Sequence, residues 1–242
     1  MRYLKLFLCA ALCLLFIGCT SEVTHSNEPP ASYQKAMEDG EICIVVDAGH
    51  GLGDVGAMNE ENLGDITEAD INFAVASLLA ENLTEKGYTV IMSHNGIVKP
   101  ETEYDDGEDT YGPSERADFS NSTAADIFIS IHCDSFPSNA DVYGTRLYYA
   151  SGTPYATKLD KQLAEALGDA VNESFPDDKD VILKAMDSST AYTVLYKTEV
   201  PSVLVECGFI TNASDAEKLT DVEWQAKFAA ALSDGVDEYF EG

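Results

Sequence analysis

Four residues that could bind a metal or transfer a proton stand at the boundaries of apolar segments. His50 follows the run IVVDAG, His132 closes IFISIH, and Glu206 closes VLVE. Glu68 stands near the start of a helical run, ITEADINFAVA. Two imidazoles and one carboxylate form the ligand set of a catalytic zinc site with an open position, and the remaining carboxylate could transfer a proton. These residue types therefore predict a metal-dependent hydrolase.

The periodicity of the chain suggests how four distant residues could meet. Strand and helix patterns alternate, which predicts a single three-layer α/β/α domain around a mostly parallel sheet. We expect strands at 42–47, 88–93, 126–132, 144–149 and 202–207, with 144–149 at the sheet edge. We expect four helices: from Thr67 to Gly87, from Ser114 to Ala124, over 154–175, and at the C-terminus around Trp224, Phe228, Leu232 and Tyr239. In the first of these helices, Asp70 completes a capping box with Thr67. Sites in such sheets form at the carboxyl ends of strands, which is where His50, His132 and Glu206 are expected.

The N-terminus has the pattern of an export segment. Residues 1–18 combine a basic start with a short apolar stretch, which predicts a signal peptide. The stretch ends at Cys19 and resembles a bacterial lipobox, so we expect lipidation of Cys19 and anchoring to the outer face of the cell membrane. An ordinary secreted or periplasmic protein is the alternative. Residues 19–40 are polar and predict a flexible tether, which leaves 41–242 as the catalytic domain.

Composition excludes one class of partner. The formal net charge is −29, so nothing in the balance of charge favours binding to the phosphates of nucleic acid. The acidity predicts a solubilising surface. We also expect the protein to be a monomer.

The cysteines support a competing hypothesis. Of six cysteines, Cys43, Cys133 and Cys207 fall within the predicted domain. A cysteine hydrolase using Cys133 or Cys207 with a histidine is disfavoured, because Cys133 adjoins His132 on a strand and the two should face opposite ways. We expect all three cysteines to be buried apolar thiols. A disulfide between Cys133 and Cys207 is an alternative that the sequence does not decide.

Three further polar residues near these segments have open roles. Asp47 and Asp134 could accept hydrogen bonds from the ligand histidines, although capping of loops is the favoured interpretation. His94 follows the second strand and could contact a substrate, but we expect it to lie on the surface.

Several blocks of the chain resemble one enzyme family. Three blocks are similar to the signatures of zinc-dependent N-acetylmuramoyl-L-alanine amidases. They are VVDAGHG with Glu68 following, the stretch from Arg116 through Asn121 and Asp126 to SIHCDS, and VLVECGFITN. The resemblance covers about residues 42–240. Three features depart from the family pattern: Ala48 stands where Pro is common, Ser93-His94 where Thr-Arg is common, and the acidic loop 99–110 is long.

The resemblance carries specific expectations. It implies one Zn²⁺ per chain bound by His50, Glu68 and His132, with Glu206 as the catalytic carboxylate. It implies peptidoglycan as the substrate and hydrolysis of the bond between N-acetylmuramic acid and L-alanine, in cell-wall turnover, division or spore-cortex processing. A catalytically inactive wall-binding or regulatory lipoprotein would be favoured if a ligand or Glu206 were missing, but all four residues are present.

Overall fold

The computed structural model of this protein describes residues 41–95, 112–176 and 181–241. Its strands are β1 (Cys43–Ala48), β2 (Thr89–Met92), β3 (Ile127–Asp134), β4 (Arg146–Gly152), β5 (Ile182–Asp187) and β6 (Ser202–Phe209). Its helices are α1 (Glu60–Leu63), α2 (Glu68–Glu85), α3 (Pro113–Ser122), α4 (Lys158–Ser174), α5 (Thr193–Lys197), α6 (Ala213–Thr220) and α7 (Val222–Glu241). The predicted signal peptide, Cys19, the tether and the acidic loop 99–110 lie outside the described residues.

The six strands form one sheet in the order β2-β1-β3-β6-β4-β5. All neighbouring strands are parallel except β4 and β6, which are antiparallel. The prediction of a single α/β domain with a mostly parallel sheet is confirmed.

Alternation along the strands divides the core into two faces. On β3, Ile129 and Ile131 contribute to the larger apolar cluster, whereas Phe128 contributes to the smaller one. The larger cluster packs beneath α2, α4 and α7, and the smaller one packs beneath α3 and α5. Strands buried on both faces read as continuous apolar runs, as β1, β3 and β6 do.

Two local predictions were wrong. The strand predicted at 144–149 is not an edge strand, because β5 pairs with its outer side and supplies the edge. The mixed sequence of β5, ILKAMD, gave no strand pattern, and its partly exposed edge position explains why. The helix predicted to be capped by Ser114 begins at Pro113 with Gly112 as its N-cap, because proline is well suited to the first helical position.

Helix α2, which carries Glu68, begins as predicted. The Thr67 hydroxyl accepts a hydrogen bond from the Asp70 backbone N–H, and the Asp70 carboxylate accepts one from the Thr67 backbone N–H. This reciprocal cap places Glu68 in the first turn, pointing toward the carboxyl ends of β1 and β3. Within the part of the chain that the structure describes, no helix is long and apolar enough to cross a membrane.

Candidate active site

His50, Glu68 and His132 meet at the carboxyl ends of β1 and β3. One carboxylate oxygen of Glu68, Oε1, lies 3.2 Å from Nε2 of His50 and 3.1 Å from Nδ1 of His132. One potential ligand atom from each residue lies within 4.8 Å of the others. The three residues therefore form a group that could hold a metal ion.

The spacing of these atoms suits zinc. Ligands that lie about 2.0–2.2 Å from one tetrahedral ion are roughly 3.3–3.6 Å from each other. The two separations that involve Glu68, 3.2 and 3.1 Å, are close to those values, and all three ligand atoms lie within 4.8 Å of one another. Two imidazole nitrogens and one carboxylate also match the ligand set of open catalytic zinc sites.

The loop after β1 turns sharply to present His50. His50 and Leu52 have positive φ angles of 64° and 51°, a conformation that is strained for residues with a side chain. Paired backbone hydrogen bonds between Gly51 and Asp54 close the turn. The turn brings Asp54 Oδ2 to 2.8 Å from Nδ1 of His50, which leaves Nε2 facing Glu68.

Sequence analysis missed this role of Asp54. For Asp47, loop capping is the favoured prediction and a hydrogen bond to a ligand histidine is the alternative. Its buried carboxylate instead contacts Ser93, Ser130 and Arg116. The spacing of Asp54, four residues after His50 and just beyond a pair of glycines, was the available signal.

Glu68 is held by several donors. Its Oε2 accepts a hydrogen bond from the Ala57 backbone N–H at 2.8 Å, and its Oε1 accepts from the Cys133 backbone N–H at 3.2 Å. The amide of Asn72, one helical turn later, donates to Oε1 at 3.2 Å and to the Gly49 carbonyl at 3.0 Å. Burial raises the pKa of Glu68, but hydrogen bonds and charge from His132 and His50 lower it well below its usual range. Glu68 is thus held as a carboxylate, the form that binds a cation.

Glu206 lies beside His132 in the sheet. The two residues are paired in the register of β3 and β6, and Arg146 of β4 is paired with Glu206 on its other side. Directly paired residues point to the same face, so the three side chains share one row across the sheet. The position of Arg146 depends on the antiparallel pairing of β4, which no local pattern predicted.

The carboxylate of Glu206 is buried and keeps one unused acceptor. Only 6% of Glu206 is exposed, and its Oε2 has no hydrogen-bond partner among the described residues. Burial and the charges of Asp134 and Glu68 raise the pKa of Glu206 well above its usual value, against a lowering by Arg146. A carboxyl with raised proton affinity and a free oxygen is suited to accept and return a proton.

All four residues open into one cleft of about 410 Å³. Its walls come from α3 and from the start of α5, through Pro113, Arg116, Tyr192, Thr193 and Val194. The cleft is therefore large enough for part of a polymeric ligand, with the metal-ligand group and Glu206 both in its lining.

The block from Arg116 to Asp126 supports the scaffold around this cleft. Arg116 Nε lies 3.1 Å from Oδ1 of the buried Asp47. Asn121 donates to the Lys197 carbonyl at 2.8 Å and accepts from the Glu199 backbone N–H at 2.9 Å, which ties α3 to α5. Asp126 accepts from the Cys43 backbone N–H at 2.8 Å at the start of β1.

Two other expectations can be compared with the structure. Asp134 accepts a hydrogen bond from the Ser135 backbone N–H and pairs with Arg146 at 3.3 Å, which agrees with a loop-capping role. His94 was expected at the surface, but it is buried, stacks on Phe73, and places Nε2 2.7 Å from the Ala48 carbonyl. The prediction for His94 was wrong because the glycine-rich loop folds over it.

The thiols of β3 and β6 are buried in the core. Cys133 and Cys207 belong to the larger apolar cluster, and Cys133 also borders the cleft that His132 and Glu206 line. Both cysteines are buried free thiols. Cys133 shares this cluster with Ile129 and Ile131, as alternation along β3 predicts.

Comparison with known proteins gives a consistent picture. The family described as N-acetylmuramoyl-L-alanine amidase matches residues 44–238. The uncharacterised protein YqiI of Bacillus subtilis is 33% identical over 198 residues, which cover 82% of this chain and 84% of YqiI. The N-acetylmuramoyl-L-alanine amidase LytC of Bacillus subtilis is 31% identical over 199 residues, but this match spans 81% of this chain and only 35% of LytC.

A solved structure extends the likeness to three dimensions. The CwlD amidase from Clostridioides difficile, determined in complex with the GerS lipoprotein, superposes with a TM-score of 0.69 at 27% identity. The match covers 83% of this chain and 98% of that chain. With a family match across most of its length and the same fold, this chain belongs to the N-acetylmuramoyl-L-alanine amidase family.

Proposed function

We propose that this protein is a zinc-dependent amidase that hydrolyses the bond between N-acetylmuramic acid and L-alanine in peptidoglycan. The observation that carries the proposal is the placement of Glu206. Its unpartnered Oε2 shares a cleft with His50, Glu68 and His132, the one group in the described residues with the spacing of a metal site.

In this proposal each of the three residues would bind zinc through one atom. His50 would bind through Nε2, because Asp54 occupies its Nδ1, and His132 would bind through Nδ1. Glu68 would supply the anionic ligand. Bound zinc lowers the pKa of a coordinated water toward about 7 and polarises a carbonyl oxygen.

Glu206 would move the proton. Its carboxylate takes a proton from the attacking water as the new bond to the amide carbon forms. It then returns that proton to the nitrogen, so that the C–N bond breaks and the stem peptide leaves with a free amino group. The lactyl group of the sugar retains a carboxylate, which balances the hydrolysis.

A cysteine hydrolase is the rival mechanism, and it has less support. Cys133 and Cys207 are buried in the larger apolar cluster, and burial raises the pKa of Cys133 well above its ordinary value. A nucleophilic cysteine needs an accessible thiolate.

We further propose that the enzyme is exported and anchored through a lipid on Cys19, with residues 19–40 as the tether. The proposal rests on the apolar segment that ends at Cys19. Fully extended at about 3.3–3.6 Å per residue, such a tether would let the domain reach wall polymer several tens of ångströms from the membrane. Turnover, division and spore-cortex processing are all compatible roles.

Digestion of purified peptidoglycan tests the proposed activity. Mass spectrometry of the products should find stem peptides that begin with a free L-alanine amino group and intact glycan chains that carry lactyl carboxylates. Glu206→Gln protein and chelator-treated protein serve as controls. New reducing sugar ends would instead indicate a glycosidase, and new amino groups within the stem would indicate an endopeptidase.

A further inference from the structure

A line of exposed tyrosines leads out of the cleft along α5. Tyr192 immediately precedes α5 and lines the cleft, yet 39% of it is exposed. Its ring packs edge-on against Tyr148, with the two centroids 5.3 Å apart. Tyr192 therefore presents the rest of its ring beside the reaction centre.

Two more tyrosines continue this line. The Tyr196 backbone N–H donates to the Tyr192 carbonyl at 2.9 Å, so Tyr196 stands one helical turn after Tyr192. Beyond the end of α5, Tyr155 is within electrostatic range of Glu199 and of Tyr196, both of which raise the pKa of Tyr155. Tyr196 and Tyr155 are 40% and 44% exposed. We call Tyr192, Tyr196 and Tyr155 the tyrosine row.

The backbone beneath the tyrosine row is well anchored. Val194 and Leu195 of α5 are buried in the smaller apolar cluster. Asn121 binds the Lys197 carbonyl and the Glu199 N–H, and the Lys197 ammonium contacts Ser114 and lies 3.6 Å from Asp118. A rigid support reduces the entropy lost when a ligand orders exposed side chains.

We propose that the tyrosine row is a binding subsite for the sugar chain of the substrate. This inference rests on the proposed function, in which the scissile amide is attached to one sugar of a long polymer. When that amide reaches Glu206, the neighbouring sugars must leave the cleft along one of its walls. The tyrosine row begins in the lining of the cleft and continues outward, so it offers such a path.

The chemistry of the row suits sugars better than stem peptides. Tyrosine provides a flat apolar face and a hydroxyl, which can pack on the C–H face of a sugar ring and hydrogen-bond its polar groups. The N-acetylated sugars of the polymer are neutral in the intact substrate, whereas stem peptides carry free carboxylates. On a protein with a net charge of −29, and beside Glu199, a neutral ligand avoids repulsion that an anionic peptide would meet.

The test uses a soluble β-1,4-linked oligomer of N-acetylglucosamine, which has the sugar backbone but no stem peptide. Binding is measured by calorimetry or NMR titration with full-chain Glu206→Gln protein. The parent is compared with Tyr155→Ala/Tyr196→Ala, with Tyr155→Phe/Tyr196→Phe, and with Val222→Ala. Val222 is 73% exposed on α7, on the opposite face of the sheet.

We expect the double alanine variant to bind the oligomer at least about tenfold more weakly, because aromatic side chains dominate such contacts. The phenylalanine variant should stay within about threefold of the parent, since it keeps both rings, and Val222→Ala should bind equally well. In the active enzyme, the alanine pair should raise KM for polymeric peptidoglycan without changing kcat. Neither constant should change for a single-sugar muropeptide.

Three results would overturn the subsite. The first is that the parent does not bind the oligomer, and the second is that the parent and the double alanine variant bind it equally well. The third is that the double alanine variant loses binding only to a synthetic stem peptide, which would assign the tyrosine row to the peptide. Failure of the proposed function looks different. In that case oligomer binding would still depend on the tyrosine row, while wild-type protein would leave the amide bonds of peptidoglycan intact.

Discussion

The ring of His132 fills the space that a side chain on residue 49 would need. A Cβ atom added to Gly49 would lie 2.2 Å from both Cε1 and Nε2 of His132, far closer than the roughly 3.5–4.0 Å of an ordinary contact between carbon atoms. The Gly49 backbone cannot easily withdraw, because its N–H donates to the Ile131 carbonyl at 2.8 Å. Glycine at this position therefore allows the loop that carries His50 to lie directly against His132, the other histidine of the proposed metal site.

Replacement of Gly49 by alanine should weaken metal binding. The new methyl group would push the His132 ring away from Glu68, and supporting changes of this kind typically cost 10–100-fold in metal affinity. Competition with a coloured chelator measures the change. Gly152→Ala is the matched control, because a Cβ there would meet Asp187 at an ordinary 3.4 Å. Zinc affinity equal to wild type in Gly49→Ala protein would contradict the proposed ligand role of His132.

Metal analysis of variants should distinguish the proposed ligands from the proposed proton carrier, Glu206. His50→Ala and His132→Ala should lose zinc and activity together, because each removes one of three ligands. Glu206→Gln should retain zinc and fold while turnover falls about 10²–10⁴-fold. Elemental analysis, circular dichroism and a peptidoglycan digestion assay distinguish the two patterns. Near-stoichiometric tight zinc in the His50→Ala/His132→Ala double variant would exclude this site.

Zinc uptake by the metal-free protein should strengthen as pH rises. Burial lowers the pKa of His50, but hydrogen bonds and charge from Glu68 and Asp54 outweigh it and raise the pKa from 6.5 to about 9. Zinc binds the neutral imidazole, so binding must release a proton until the pH passes about 9. Chelator competition between pH 6.5 and 9 should show affinity increasing throughout.

The raised pKa of His50 makes the stability of the metal-free protein fall as pH rises, whereas it makes zinc affinity increase. The folded-state pKa of His50 lies above its unfolded value, so its contribution to stability is complete below about pH 6.5 and is lost as pH rises through about 9. Asp54→Asn removes one of the interactions that raise this pKa, and both pH profiles should move to lower pH. Zinc affinity that does not change with pH would contradict a proton on His50.

The thiols should prove dispensable for catalysis. Burial and the charge of Asp126 raise the pKa of Cys43 to about 11, and burial followed by the neighbouring Cys207 raises the pKa of Cys133 well above its ordinary value. Native protein should therefore resist iodoacetamide and keep its activity, whereas a zinc chelator should abolish it.

Cys133→Ala and Cys207→Ala should keep turnover at a stability cost on the order of 1 kcal/mol each, measured by thermal unfolding. Labelling in denaturant, where all thiols are accessible, is the positive control. Activity that survives chelation yet disappears with iodoacetamide would favour the cysteine hydrolase instead.

Membrane attachment should depend on Cys19. Cys19→Ala should release the protein from the membrane fraction or block its maturation, while the purified domain retains activity, because Cys19 is separated from the domain by the proposed tether. Intact mass of the mature protein measures the modification directly. A mature chain with an unmodified N-terminus at another residue would indicate an ordinary secreted enzyme.

Local patterns predicted every described strand except β5, the four longest helices (α2, α3, α4 and α7), and the edge of the sheet at which the candidate site lies. Apolar runs with β-branched residues predicted β1, β3 and β6, and the Thr67–Asp70 cap predicted the start of α2, because these features depend on contacts between residues near in sequence. The blocks around His50, His132 and Glu206 predicted the family, which the comparisons confirm.

Long-range packing decided the rest. Strand pairing determines three features: the pairing of His132 with Glu206, the antiparallel insertion of β4 and the edge position of β5. A local sequence pattern does not specify which strand will be its neighbour. Asp54 and the tyrosine row belong to loops and a short helix, whose positions follow from backbone turns and from packing on the finished sheet. The residue types for the chemistry can therefore be identified in the chain, but their distances, their proton affinities and the path by which a polymer could reach them arise only when the sheet has assembled.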